Sequence, residues 1–326
     1  MTRRIVDEPP LDISTVRNPV SAERSPHYLE NLVQQAHGHK PLRTAVVHPV
    51  DGASLRGAIE AARARLIIPV LVGPETKIRA AAQEADIDLR DYELVATEHS
   101  HAAAAAAVAL ARERRVAALM KGSLHTDEFM EAIVCEPRLR TARRMSHVFI
   151  IDAPAYPRPL FVTDAALNIC PTLEDKVDIV QNAIDLACTL GLSNPKVAIL
   201  SAVETVSPKI RSTLDAAVLC KMADRGQIRG ATLDGPLAFD NAVSRDAAEA
   251  KGLHSPVAGQ ADIFVVPELE AGNILAKQLE YLAQAKLAGI VIGARLPIML
   301  TSRTDPIAAR LASCAIAVLL AGAATA

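Results

Sequence analysis

Tryptophan is absent from this 326-residue chain, and four tyrosines with five phenylalanines make up only 3% of it. A hydrophobic content of 50% must therefore be met by alanine, valine, leucine and isoleucine, the core composition of parallel-sheet α/β proteins. Charge of one sign is also lacking: the net charge is −2 and the pI is near 6.5. Binding to a nucleic-acid backbone needs a basic face, so nucleic acid is excluded as the main partner. The five cysteines, Cys135, Cys170, Cys188, Cys220 and Cys314, are isolated and show no CxxC spacing. With no secretion signal, they read as buried, reduced thiols of a cytoplasmic protein. Long hydrophobic runs are missing too. The uncharged stretch 311–326 falls short of the roughly 20 apolar residues a membrane span needs, and it reads as a buried final helix or helix–strand pair. No membrane partner is expected.

Several catalytic fingerprints are equally absent. No G-x-G-x-x-G follows a strand, no G-x-x-x-x-G-K-[ST] is present, and no G-x-S-x-G elbow occurs. A dinucleotide fold of the usual kind, a P-loop nucleotide hydrolase and an esterase are therefore disfavoured. The nine histidines are scattered, with no metal spacing among them, and no resident metal is expected.

What is present is an alternation of strand and helix patterns. Strands are expected at 44–48, 66–72, 92–96 and 116–120, with helices over 52–65, 75–84 and 101–115. The last of these contains a run of six alanines and has high intrinsic propensity. A βαβα succession means a parallel sheet covered by helices. The pattern restarts after residue 147, with strands at 147–151, 159–163, 196–201, 229–233 and 262–266 and helices over 173–190, 207–225 and 269–286. One or two strands are expected within 287–300, after which Pro306 opens a helix. The predicted fold is α/β: two lobes of parallel or mixed sheet flanked by helices. Residues 1–25 form a flexible N-terminal arm, 26–150 with 291–326 the first lobe, and 151–290 a second, inserted lobe.

Chemistry concentrates in loops. Thr301, Ser302, Arg303 and Asp305 place hydroxyls, a guanidinium and a carboxylate at a strand's carboxyl end, where open α/β sheets present ligand sites. Arginine there suits a phosphate or a developing anion. The loop Lys121-Gly-Ser-Leu-His-Thr-Asp127 runs from strand to helix. It offers Lys121, Gly122, Ser123, His125 and Thr126 at a helix N-terminus, a ready anion site; a plain cap by Thr126 or Asp127 is the bland alternative. Gly272-Asn273 inside a helical pattern suggests close ligand approach at Asn273. Arg295, in the 289–297 segment, completes the candidate substrate-binding set.

The Ser302-Arg303 turn, the Lys121–Thr126 loop and Asp234-Gly-Pro-Leu-Ala-Phe-Asp240 together resemble the phosphate acetyltransferase/phosphate butyryltransferase family. So do Pro267-Glu-Leu-Glu-Ala-Gly-Asn-Ile-Leu-Ala-Lys277 and Gly289-Ile-Val-Ile-Gly-Ala-Arg-Leu-Pro297. The resemblance runs from about residue 40 to the end. It implies two lobes like those of isocitrate and isopropylmalate dehydrogenases with an active-site cleft between them, and a homodimer without metal or nicotinamide. It implies reversible acyl transfer between an acyl phosphate and coenzyme A, releasing inorganic phosphate, with coenzyme A a substrate rather than a cofactor. Acetyl phosphate is the expected donor and butyryl phosphate the alternative.

Thiol attack on an acyl phosphate needs a base, positive charge for the leaving phosphate, and donors for the oxyanion. By resemblance, Arg303 holds phosphate or stabilises the transition state, and Ser302 donates a hydrogen bond. The acetyl branch's aspartate base falls on Ala309 in an ungapped reading, so Asp305 is the catalytic candidate in its place. Its competing role is a helix cap ahead of Pro306. The family's second phosphate arginine has no clean match, and Arg138, Arg140, Arg143 and Arg144 are nearby candidates. Two other classes stay open: a metal- and nicotinamide-dependent dehydrogenase of the same architecture, and a catalytically silent CoA- or phosphate-binding module.

Overall fold

The structure, a computed structural model, describes residues 27–302 and 305–323. The expected arm at 1–25 and Arg303 lie outside the described residues.

From the first described helix, α1 (Tyr28–Ala36), the chain enters β1 (Leu42–Val47), α2 (Gly52–Arg63), β2 (Ile67–Gly73) and α3 (Glu75–Glu84). Then follow β3 (Glu93–Ala96), α4 (Ser100–Arg112), β4 (Ala118–Lys121) and α5 (Thr126–Val134). Strands β3, β2, β1 and β4 lie side by side and parallel. This is the expected result of helical crossovers between successive strands. The polyalanine face of α4 packs Ala103, Ala104 and Ala107 onto this sheet with little or no exposure.

The middle of the chain is less uniform. β5 (Ser146–Asp152) and β6 (Leu160–Thr163) are antiparallel, because the short link 153–159 has no room for a crossover helix. After them come α6 (Leu173–Thr189), β7 (Lys196–Leu200), α7 (Arg211–Asp224), β8 (Thr232–Leu237), α8 (Phe239–Val243), α9 (Arg245–Ala250) and β9 (Ile263–Val265). The chain then forms α10 (Leu269–Leu282), β10 (Lys286–Ile292), β11 (Ile298–Met299) and α11 (Ile307–Ala323). A capping box, Thr172 with Asp175, opens α6. All strands among the described residues join one 11-stranded sheet in the order β3-β2-β1-β4-β11-β10-β5-β6-β9-β7-β8. It is mixed: β10 runs antiparallel to both β11 and β5, and the flanking groups are parallel.

Several expectations are corrected. The helix anticipated from Ser207 begins at Arg211, since Pro208 disfavours the α region for Ser207. Ser207 is instead tied by Thr213, which takes its amide proton at 2.9 Å and donates to its carbonyl at 2.9 Å. The strand expected at 229–233 is shifted to Thr232–Leu237. Asp234-Gly-Pro-Leu therefore belongs to β8, and Phe239 and Asp240 open α8. The helix expected to reach Lys286 stops at Leu282, and Lys286 starts β10. The cysteines are free, but Cys135, Cys170 and Cys188 are exposed and only Cys314 is fully buried.

The described part of the uncharged C-terminal stretch is helical as far as Ala323, and Ala312 to Val318 of α11 are all enclosed, against α1, α2 and β10. No helix among the described residues is long and apolar enough to cross a membrane. One residue breaks this apolar helix. Arg310 is 2% exposed, and it lies so close to α2 that a side chain on Gly57 would stand 2.4 Å from its Cδ.

Candidate active site

A cavity of about 430 Å³ opens where the loops after β4 and β11 meet β5, the segment after β6, and the first turns of α10. It is lined by Lys121, His125, Thr126, Asn273, Ser302 and Asp305, six of the ten candidate site residues, together with Thr301, Lys277 and His147. Leu124, Phe149, Ala166, Leu269 and Leu300 supply the apolar wall. β4 and β11 are parallel neighbours, so their carboxyl ends deliver Lys121 and Thr301 to the same edge of the sheet.

The loop after β4 is held by backbone. The Gly122 amide donates to Val47 and the Ser123 amide to His48, each at 2.9 Å. Lys121 is buried, at 7% exposure, and its ammonium donates to the Leu124 carbonyl at 3.1 Å. Ser123 faces Ser54 at 3.3 Å between hydroxyl oxygens, and neither Gly122 nor Ser123 reaches the cavity wall. Their part is to fix the loop. His125, not Thr126 or Asp127, occupies the cap position of α5 and makes no side-chain cap bond. Gly122 has no room for a larger residue, because a Cβ would stand 2.4 Å from the Val47 carbonyl oxygen and 2.9 Å from that of His48. These are backbone atoms that cannot swing aside. Gly122→Ala is expected to cost about 1–3 kcal/mol and to lower activity by displacing Lys121 and His125, as thermal unfolding and steady-state assays would show.

The loop after β11 carries the candidate catalytic residues Ser302 and Asp305. Thr301 donates to the Lys121 carbonyl at 3.0 Å, binding the two loops together. Asp305 accepts the Ser302 amide at 2.7 Å, and its own amide donates to the Ser302 carbonyl at 3.2 Å. Burial pushes the Asp305 carboxyl above the usual carboxylate range. The Ser302 amide, Lys277 and Arg310 pull the other way without reversing it, while Glu280 adds to the rise. Beneath the loop, Arg310 donates to the Ser302 carbonyl at 2.7 Å and to the Thr301 hydroxyl at 3.3 Å.

Across the cavity, Asn273 donates to the Ala165 carbonyl at 3.2 Å, and Lys277 pairs with Glu280 at 2.6 Å. The odd glycine of α10 has a packing explanation: a Cβ on Gly272 would stand 2.7 Å from Val266 and 3.0 Å from that of Ala165. Close approach there is by the protein's own chain, and the adjacent Asn273 is the residue that meets the cavity.

Arg295 lies elsewhere. It lines a larger cavity of about 980 Å³ with Arg112, Arg114 and Arg138, beside Val116 and Ala117 just ahead of β4. That is the amino end of the parallel strands. The smaller cavity gathers Lys121, His125, Lys277 and Asp305 at the carboxyl ends, where such sheets bind ligands, and it is the candidate site. Arg143 pairs with Asp185, Arg144 bonds Asn168 at 2.5 Å and Asp175 at 3.1 Å, and Arg140 bridges to Ala294. None of the four arginines proposed for a second phosphate contact lines the smaller cavity. Its cationic groups among the described residues are Lys121 and Lys277. Among those residues, no group of three or more histidine, cysteine or acidic side chains is placed to hold a metal.

Sequence reasoning missed Lys277, Arg310 and His147. Lys277 and Arg310 lie within helical patterns, and His147 lies in a strand pattern. Their signal was weak: an arginine one residue ahead of the uncharged 311–326 stretch, one lysine in an amphipathic helix, and a lone histidine on a buried strand.

The family model described as phosphate acetyl/butaryl transferase matches residues 96–318. The chain is 58% identical over 293 residues to a phosphate acetyltransferase of Rickettsia prowazekii, covering 89% of this chain and 83% of that protein. It is 39% identical over 292 residues to a phosphate butyryltransferase of Clostridium acetobutylicum, covering 89% and 97%. The crystal structure of a branched-chain phosphotransacylase from Enterococcus faecalis V583 superposes with a TM-score of 0.73 at 29% identity, covering 86% of this chain and 99% of that one. With every residue that lines the smaller cavity falling inside the matched span, the chain belongs to the phosphate acetyl/butaryl transferase family.

Proposed function

We propose that this protein is a phosphate acetyltransferase that moves an acetyl group reversibly between acetyl phosphate and coenzyme A. The observation that carries the reading is the Asp305 carboxylate, fixed 2.7 Å from the Ser302 amide inside the cavity with its affinity for a proton raised by burial. A thiol has an ordinary pKa of about 8.5, so a carboxylate raised toward that value is a better base for it. The thiol gives its proton to Asp305 as sulfur attacks the acyl carbon. The bond from that carbon to the phosphate oxygen then breaks, and inorganic phosphate leaves. No covalent acyl-enzyme is required.

Lys121 and Lys277 supply positive charge for the phosphate, with Arg303 joining them by family resemblance, and the Ser302 hydroxyl donates to the same group. His125, Thr126 and Asn273 orient the substrates, while Gly122 and Ser123 hold the loop that carries Lys121. Arg295 stays a substrate-binding candidate only at the separate arginine-lined cavity. Support for acetyl over butyryl comes from the 58% identity to the acetyltransferase against 39% to the butyryltransferase.

The reading extends to organisation. The lobes are 26–150 with 291–326, and 151–290, related in architecture to isocitrate and isopropylmalate dehydrogenases, with the cavity in the cleft between them. The working form is a cytoplasmic homodimer, and the reaction uses neither metal nor nicotinamide. The test is thioester formation from coenzyme A and acetyl phosphate, with butyryl phosphate in parallel and a chelator throughout. Chelator-resistant turnover, faster with acetyl phosphate, is the expected result. No thioester with either donor defeats the reading, and tight coenzyme A binding without turnover would favour the silent binding module.

A further inference from the structure

The apolar side of the cavity is not uniform. Leu124 and Leu300 belong to the core, at 2% and 8% exposure. Phe149, Ala166 and Leu269 are only partly buried and have surface to offer a ligand. Phe149 is the largest of these three, and its place follows from the sheet. It pairs with Gly289 on β10, and a Cβ on Gly289 would lie 3.4 Å from the carbonyl oxygen of Leu300, two residues before Ser302. Phe149, Gly289 and Leu300 thus stand in a row across β5, β10 and the end of β11, the first and last separated by two strand spacings of about 4.8 Å. The middle position has no side chain, and the His147 ring takes that space: a Cβ on Gly289 would stand 2.8 Å from its Nε2. At 0% exposure His147 offers nothing to a ligand. It meets Phe149 edge-on at 4.4 Å between centroids, so it backs the phenyl ring and limits its movement.

We propose that Phe149 is the end wall of the acyl pocket and sets the length of acyl chain that this protein accepts. The inference rests on the acyl-transfer reading and adds a specificity determinant to it. The polar groups of the cavity, Ser302 and the two lysines, take the phosphate. The acyl chain is the apolar part of the donor, and it gains free energy where it leaves water for apolar surface. An acetyl group ends at its methyl, whereas a butyryl group runs two methylenes further toward the phenyl ring. A ring held in place from behind rejects the longer chain by overlap, which is discrimination by a built-in clash. Ala166, with no side chain beyond Cβ, cannot act in this way.

The experiment measures kcat/KM for acetyl and butyryl phosphate in Phe149→Ala and Phe149→Leu. One methylene in an apolar pocket is worth about 10–200-fold in discrimination. Phe149→Ala should therefore raise the butyryl-to-acetyl ratio by at least about 10-fold. Phe149→Leu keeps most of the packing and should raise the ratio by less, so the test survives a Phe149→Ala that does not fold. A phenyl ring with a structural role alone would lower the melting temperature and both values of kcat/KM together, leaving the ratio where it was. A second readout needs no turnover. In protein whose five phenylalanines carry a ring ¹⁹F label, acetyl phosphate alone should shift the resonance that is missing from Phe149→Leu, and inorganic phosphate should leave it in place. A ratio unchanged in the folded variants, a wild type that prefers butyryl phosphate, or a resonance unmoved by acetyl phosphate overturns the inference. A wild type that forms no thioester defeats the reaction, while the resonance still reports whether an acyl group reaches Phe149.

Discussion

Asp305→Asn is expected to lower kcat for thioester formation by about 10²–10⁴-fold, the typical worth of a positioned base, without lowering thermal stability. The amide oxygen of asparagine can still accept the Ser302 N–H that Asp305 accepts at 2.7 Å. The loop keeps its shape and loses only the proton acceptor. The stability sign follows from the raised carboxyl. A folded-state pKa above the unfolded one means that the native state binds the proton more tightly. The resulting stability is present below the unfolded pKa and is lost as pH rises through the folded one. Wild type should therefore weaken relative to Asp305→Asn as pH rises through that window. The activity sign is opposite, since the base must be ionised. Wild-type kcat should fall on the acid side with a midpoint above the ordinary carboxylate range, and this limb should vanish in the variant. Near-normal turnover by Asp305→Asn would remove Asp305 from the mechanism and leave it the role of a loop brace.

The alternation of elements was legible because each carries its own period. α3 runs over Glu75–Glu84 as expected, and the 287–300 stretch resolves into β10 and β11. Strand direction was harder to read. Nothing in the residues of β5 or β10 distinguishes parallel from antiparallel pairing. The distinction comes from the links at 153–159 and 293–297, too short for a crossover helix, the second turning at Gly293 with φ +84°. β8 was misplaced for a related reason. Gly235 and Pro236 look like a turn, yet they continue a strand, and Gly235 is required because a Cβ would meet Ile199 at 2.8 Å.

The site divides along similar lines. Lys121, His125, Thr126, Ser302 and Asp305 were visible because they stand in strand-to-helix loops, where polar residues have no packing role to hide behind. Asn273 was found through its glycine neighbour, although the close approach at Gly272 proved to be to Val266 and Ala165. Arg295 was taken along with its segment, and the fold carries that segment to the far end of β4. Lys277 is one lysine in an amphipathic helix, and only the packing of α10 beside the β11 loop turns its charge toward Asp305. His147 is indistinguishable in sequence from a satisfied core histidine; its missing partners are a property of three dimensions.

Arg310→Met should be the most damaging single change outside the cavity wall. Methionine keeps an unbranched apolar stem against Gly57, so the packing of α11 on α2 is largely retained. What goes is the guanidinium, which donates to the Ser302 carbonyl at 2.7 Å, the Thr301 hydroxyl at 3.3 Å and the Asp305 carbonyl at 3.4 Å. Hydrogen bonds from a charged group are each worth about 1.5–3 kcal/mol, and the last two are long. A net loss of roughly 3 kcal/mol is therefore expected, or about 4–5 °C in melting temperature for a chain of this size. Activity should fall further than stability. Ser302 and Asp305 take their positions from this loop, and a misplacement of about 1 Å can cost 10²-fold in rate. Arg310→Lys separates charge from geometry, because its single ammonium cannot span three acceptors as the planar fork does. It should recover part of the melting temperature but little of kcat. Equal recovery of both would mean that burying a positive charge under the loop is what matters. Unchanged kcat in Arg310→Met would mean that Thr301, through its bond to the Lys121 carbonyl, holds the loop without help from below.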